Sequence, residues 1–313
     1  MASDAVQAER KAERSIDTAP ARPVGWFKAF KRNARRRIST WVLPLMQRAA
    51  RDYVGGQFIE DAMTVVERFA SDGITSTLGY WNTPDFSPRQ VADEYLASIL
   101  SVRAANVDNY ISIKTPALNF SADLAAELGA GAQAHQVRIH CDSHGTEAAD
   151  PTYAMLETLL QHCAADKLGT TLPGRWKRSL SDADWAIDRG IPVRVVKGEW
   201  PDPSDPRRDP AAGYLEVIDR LAGRAFHVAV ATHKPKLAAE AVARLRAAGT
   251  RCGLELLFGL STRAMLRWAK ENNVPVRVYV PYGPYYLPYA INQLRYNPRI
   301  LWWVLKNAVT RRS

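Results

Sequence analysis

Nine polar side chains stand at or near the ends of short β-rich runs in this chain: Lys114, His140, Asp142, Arg175, Arg194, Lys197, His233, Glu255 and Tyr279. Lysines beside main-chain amides at such ends suit phosphate groups. The run RIHCDSHG (138–145) gathers His140, Cys141, Asp142 and His144, which raises metal-dependent hydrolysis as a chemistry. The spacing opposes it. On a strand His140 and Asp142 share one face while Cys141 points the other way, so further ligands would have to come from His233 or Glu255 on distant strands. A histidine that orients a polar pocket, with no metal, is the expected arrangement.

The elements that must position these residues alternate regularly. Eight β-rich runs are expected at 73–81, 110–115, 137–142, 169–175, 192–198, 226–233, 252–259 and 275–283. Helical stretches fall between them at 88–103, 151–165, 179–189, 211–223, 235–248 and 261–273, while the link at 121–131 reads as short. Strands alternating with helices are the signature of a parallel sheet with crossover connections, and eight such units close a (β/α)8 barrel. The fold class is therefore α/β, a TIM-like barrel. A chain of 313 residues with 47% hydrophobic content can bury one large core of that kind. Chemistry in that architecture gathers at the C-terminal strand ends, where the polar residues above are found.

Several of these ends carry longer patterns: RVVKG at 194–198, ATH at 231–233, and VRVYVPYG at 276–283 with Tyr289 six residues beyond. Together and in this order they resemble the proline dehydrogenase family, over roughly residues 70–307. Members of that family are distorted (β/α)8 barrels that bind FAD at the strand ends, oxidise proline to pyrroline-5-carboxylate and pass electrons to a quinone. The resemblance implies that Arg194 lies beside the flavin ring, that Lys197 and Gly198 belong to its cradle, and that Thr232 and His233 hold the phosphate or ribose region. A guanidinium aimed at a ring that gains negative charge on reduction would stabilise the reduced state. Lys114 corresponds to a substrate-site lysine, and Tyr279 and Tyr289 to tyrosines that wall the substrate pocket.

The departures from the family are as informative. Where the family carries an Arg-Arg pair that grips the proline carboxylate, this chain has Asn292 and Gln293. Where the family has Asp-x-Glu on the third strand, this chain has His140 and Asp142. Glutamines of the fourth and seventh strands correspond to Pro173 and Glu255, so the flavin edge is expected to be held differently, with Glu255 part of it. Amides offer neutral donors and acceptors, whereas guanidiniums offer charge-assisted, bidentate bonds. The expected substrate is thus an amine or amino-acid-derived compound, not free proline, that is oxidised at a C–N bond to an imine. Two alternatives stand: a genuine proline dehydrogenase, and a non-catalytic FAD-binding relative.

Charge separates a second region. Residues 1–51 hold 12 Lys/Arg against 4 Asp/Glu, a surplus of +8 in a total of +10. Within 22–51, aromatic and aliphatic residues recur at helical spacing beside Lys28, Lys31, Arg32 and Arg35 to Arg37. That pattern suits both a helix packed on the main domain with a solvated basic face and peripheral contact with an anionic membrane surface. Domains are expected at 1–69, a basic helical extension, and 70–313, the barrel with C-terminal helices. Three cysteines without CxxC spacing, and no apolar run long enough to span a bilayer, point to a cytoplasmic protein, peripheral at most at the inner face. Quinone or oxygen would accept the electrons, and no nucleic acid partner is expected.

Overall fold

The computed structural model describes residues 54–105, 108–260 and 262–285. Eight parallel strands close into a barrel in sequence order. They are β1 Thr75–Tyr80, β2 Asn109–Ile113, β3 Arg138–Cys141, β4 Thr170–Pro173, β5 Val193–Val196, β6 Val228–Ala231, β7 Cys252–Leu257 and β8 Val276–Tyr282. Each expected β-rich run contains one of them. The barrel closes where β1 runs in register with β8, Leu78 opposite Val280.

Among the described residues one helix, α1 Ile59–Ser71, precedes β1, and seven cross between strands: α2 Pro88–Ala105, α3 Ala122–His135, α4 Ala149–His162, α5 Ser179–Arg189, α6 Pro210–Leu221, α7 Pro235–Ala247 and α8 Arg263–Glu271. The link at 121–131 is no short loop: α3 fills it. Ser121 caps the helix by accepting from the Leu124 amide, and Ala125, Leu128, Gly129 and Ala132 are buried. The boundary expected at 69/70 falls inside α1, whose Ile59, Ala62, Met63 and Val66 join the barrel's core.

Strand alternation divides the protein into two interiors. Side chains of one parity, including Leu78, Ile111, Ile139, Val195, Val230, Leu254 and Val280, form the apolar layer beneath the helices. Those of the other parity point into the barrel, and they are polar: Thr77, Tyr110, Ser112, His140, Thr171, Arg194 and Glu255 are all buried. The β3–β4 seam has one register pair, Cys141 with Thr170. Beside it a Cβ on Gly169 would overlap the His140 imidazole, so glycine there makes room for the ring.

Among the described residues no helix is long and apolar enough to cross a membrane. Tyr289, Asn292, Gln293 and the basic stretch 22–51 lie outside the described residues.

Candidate active site

The barrel's centre is organised around one buried cation. Arg194 on β5 donates from Nε to Glu255 Oε2 at 2.9 Å, and its Nη2 lies 2.8 Å from Glu255 Oε1, a two-pronged pair across the barrel. Its Nη1 reaches Asp142 Oδ1 at 2.7 Å and Nη2 donates to the Tyr110 hydroxyl at 3.2 Å. Glu255 also accepts from Thr77 at 3.0 Å and from Tyr110 at 3.1 Å. Both carboxylates are therefore compensated, as buried charges must be. In this setting Glu255, Asp142 and the Tyr110 hydroxyl hold the guanidinium protonated, with a pKa well above its ordinary value, although burial alone opposes the charge.

Above that pair the strand ends converge. Asp142 accepts from Ser112 at 2.6 Å and from the Tyr279 hydroxyl at 3.0 Å. Burial would raise its carboxyl, but Arg194, Lys114 and Ser112 outweigh burial and hold it below the usual range. Tyr279 lies over the Arg194 guanidinium, 5.3 Å from its ring centroid, and crosses toward β1 at Gly79, where any Cβ would overlap its phenol. Lys114 donates to the Tyr80 carbonyl at 2.6 Å, and burial pulls its pKa down to about 8. A cation, an anion and an amine that titrates near neutrality thus meet at one mouth.

His140 sits one layer lower. Its Nε2 is 2.8 Å from the Thr171 hydroxyl and its ring stacks on Tyr110. Burial first, then Arg194, Arg138 and Arg277, push its pKa well below the ordinary histidine value, so the ring is neutral at pH 7.

A second group gathers at the ends of β5 and β6. Burial and the neighbouring Lys234 ammonium lower the Lys197 pKa to about 8, so two lysines face each other with the Asp209 carboxylate as counter-charge. Gly198 follows at φ +91°, a conformation glycine adopts without strain, and a Cβ there would lie 2.8 Å from Pro173 Cβ. Thr232 accepts from the Lys234 amide at 3.2 Å, and His233 Nε2 accepts from the Leu257 amide at 2.9 Å. A neutral His233 ring therefore carries its proton on Nδ1.

No family model matches the chain. Curated relatives do: it is 25% identical to proline dehydrogenase 1 of Bacillus subtilis subsp. natto over 282 residues, which cover 84% of this chain and 91% of that protein. It is 26% identical to the proline dehydrogenase of Deinococcus radiodurans over 273 residues, 81% of this chain and 88% of that one. This chain is a relative of the proline dehydrogenases. In fold it matches proline utilization A (PutA) from Bdellovibrio bacteriovorus with TM-score 0.67 at 15% identity, over 79% of this chain and 32% of that one. A PutA from Bradyrhizobium japonicum matches with TM-score 0.63 at 18% identity, over 93% of this chain and 38% of that one. The chain thus spans about a third of the length of these larger proteins.

Within this proline dehydrogenase-like barrel, Lys114, Asp142, Arg194 and Tyr279 come together as the sequence suggests, and Lys197, Gly198, Thr232 and His233 form the adjoining group. Glu255 is corrected in place. It is 3% exposed, as buried as Arg194 at 4%, and its carboxylate is engaged by Arg194, Thr77 and Tyr110. His140, read as a substrate contact, likewise lies beneath the mouth against Thr171. Missed altogether were Thr77, Tyr110, Ser112 and Lys234. Three of them were within reach of the period-2 rule: Tyr110 and Ser112 share parity with Lys114 on β2, and Thr77 shares it with Gly79 on β1.

Proposed function

We propose that this barrel binds FAD at its C-terminal mouth and oxidises a C–N bond of a small amine or amino-acid-derived substrate to an imine. The observation that carries this reading is the fixed Arg194 beneath Lys114, Asp142 and Tyr279, beside a lysine pair whose charges an anionic cofactor would satisfy. The residues present fit that cofactor. Lys197 and Lys234 would take its pyrophosphate, Gly198 leaves the backbone room for close approach, and Thr232 with His233 would flank them.

The cofactor supplies the acceptor for a hydride from the carbon next to nitrogen. Arg194, whose donors are taken up by Glu255, Asp142 and Tyr110, would hold those groups fixed beneath a bound flavin, without reorganisation during the reaction. Lys114, titrating near 8, can take up the proton that a substrate ammonium must lose before its C–H bond becomes a hydride donor. Tyr279 walls the pocket and, through Asp142, is tied to the same charge network.

Asn292 and Gln293 argue for a substrate without a free carboxylate. Two lost charge-assisted contacts would cost proline about 3 to 6 kcal/mol, on the order of a hundred- to ten-thousandfold in recognition. The second reading, oxidation of free proline itself, is favoured by the curated relatives, which match nearly end to end and are named proline dehydrogenase. Anaerobic addition of substrate to the reconstituted protein separates the two. The first reading expects prolinamide or another uncharged cyclic amine to bleach the flavin bands while proline leaves them. It also expects Asn292→Arg with Gln293→Arg to gain activity on proline. Bleaching by proline at ordinary metabolite concentrations in the unaltered protein restores the second reading.

A quinone or oxygen would reoxidise the flavin, and residues 22–51 would bring the barrel to an anionic membrane surface where a quinone is available.

A further inference from the structure

The opposite end of the barrel carries chemistry that the reaction does not use. At the N-terminal mouth, where the strands begin, a cavity of about 330 Å³ opens between Asp108, Arg138, His227, Arg251 and Arg277, with Tyr110 as its inner wall. Three guanidiniums face one carboxylate. Arg277 reaches Asp108 at 3.0 Å, and Arg138 reaches the same residue at 3.4 Å. Asp108 is 67% exposed, so its charge is shared with water. Arg277 also donates from Nη1 to the Ser76 and Asp108 carbonyls at 2.7 and 3.0 Å, and the Arg138 and Arg277 guanidiniums lie 4.8 and 4.5 Å from the Tyr110 ring centroid. Arg251 lies across the rim on the Phe226 ring, 4.3 Å from its centroid.

The electrostatic consequence is visible at His227, which burial and then Arg138, Arg277 and Arg251 push down to about 4. Arg138 and Arg277 occupy the interior parity of β3 and β8, one step below His140 and Tyr279, positions that a purely structural plug would fill with apolar side chains. Guanidiniums held beside aromatic rings suit planar, multidentate recognition of an oxyanion better than a mobile lysine would.

We propose that the N-terminal mouth of the barrel is a binding site for a phosphate-type oxyanion, held by Arg138, Arg251 and Arg277. The ligand is inorganic phosphate or the phosphate group of a small ester. Binding would neutralise the surplus charge and brace the starts of β3, β7 and β8 beneath the catalytic layer.

The test is calorimetric titration of the full-length protein with sodium phosphate and with glycerol phosphate, each against sodium chloride at equal ionic strength. Saturable binding is expected, and Arg251→Gln should weaken it about tenfold or more, since one charge-assisted contact is lost. Arg251 is exposed and its side chain packs only on the rim, so this variant should fold; Arg138→Gln provides an independent second loss. Arg89→Gln, which removes a guanidinium paired with Asp93 and Glu127 on the outer surface of α2, should leave this binding within about twofold. Tighter binding of the ester assigns the site to a phosphorylated metabolite, and equal or tighter binding of phosphate assigns it to the free ion. Absence of saturable binding above the chloride control, or binding that Arg251→Gln leaves unchanged while Lys197→Gln abolishes it, overturns the proposal.

Discussion

At the scale of single residues the site is built from charges kept where solvent would not leave them. Arg194 is 4% exposed and tolerable there only because Glu255, Asp142 and Tyr110 surround it. Lys114 has the opposite status: its pKa falls to about 8 from 10.5, so folding must bury an amine that would prefer to stay charged in water. The folded protein binds fewer protons than the unfolded chain between those two values, so this cost is fully present below about 8 and fades as pH rises toward 10.5. Lys114→Met is therefore expected to raise stability at pH 7 by about 1 to 3 kcal/mol while abolishing turnover. The gain should shrink as the pH is raised through that window. Urea unfolding at pH 7, 9 and 10.5 measures it, and a variant less stable than the parent at pH 7 would contradict the account of Lys114.

At the scale of elements, the strands were legible because each apolar run is short, β-branched and bounded by helical sequence. Helix α3 was not. Its sequence ADLAAELGAGAQAH offers alanine and glycine instead of a broad apolar stripe, because it packs closely between neighbours. A Cβ on Gly129 would come within 2.9 Å of His162 Cβ, and one on Gly131 within 3.1 Å of Leu96. The inward parity of Arg194, Lys114 and Asp142 could be read from sequence, but the partners that lock Arg194 come from β2 and β7, and register across strands sets those contacts. Depth was misread at Glu255 and His140 for the same reason, since strand ends can be placed only to within a residue or two. Gly79 is the element-scale test. Tyr279 reaches Asp142 by passing over β1 where glycine leaves space, so Gly79→Ala should displace the phenol. The expected loss is about 1 to 3 kcal/mol of stability, with a fall in kcat/KM. Wild-type stability and kinetics in Gly79→Ala would remove Tyr279 from the network.

At the scale of the whole molecule, one barrel presents two charged ends: a catalytic mouth where a cation, carboxylates and a near-neutral lysine converge, and an N-terminal mouth dominated by arginine. The basic stretch 22–51 adds a third charged region. Full-length protein is expected to float with anionic liposomes more than a version beginning at residue 52, which retains α1 intact. Equal flotation would leave that stretch as a packed helix with a solvated face. The central claim is the flavin. The most direct measurement is the absorption spectrum of the purified protein after reconstitution with FAD and removal of excess, recorded before and after denaturation. The account expects flavin bands that denaturant releases, and a raised melting temperature with FAD that Arg194→Ala or Lys197→Gln diminishes. A spectrum without flavin bands, together with a melting temperature that FAD does not move, would contradict it.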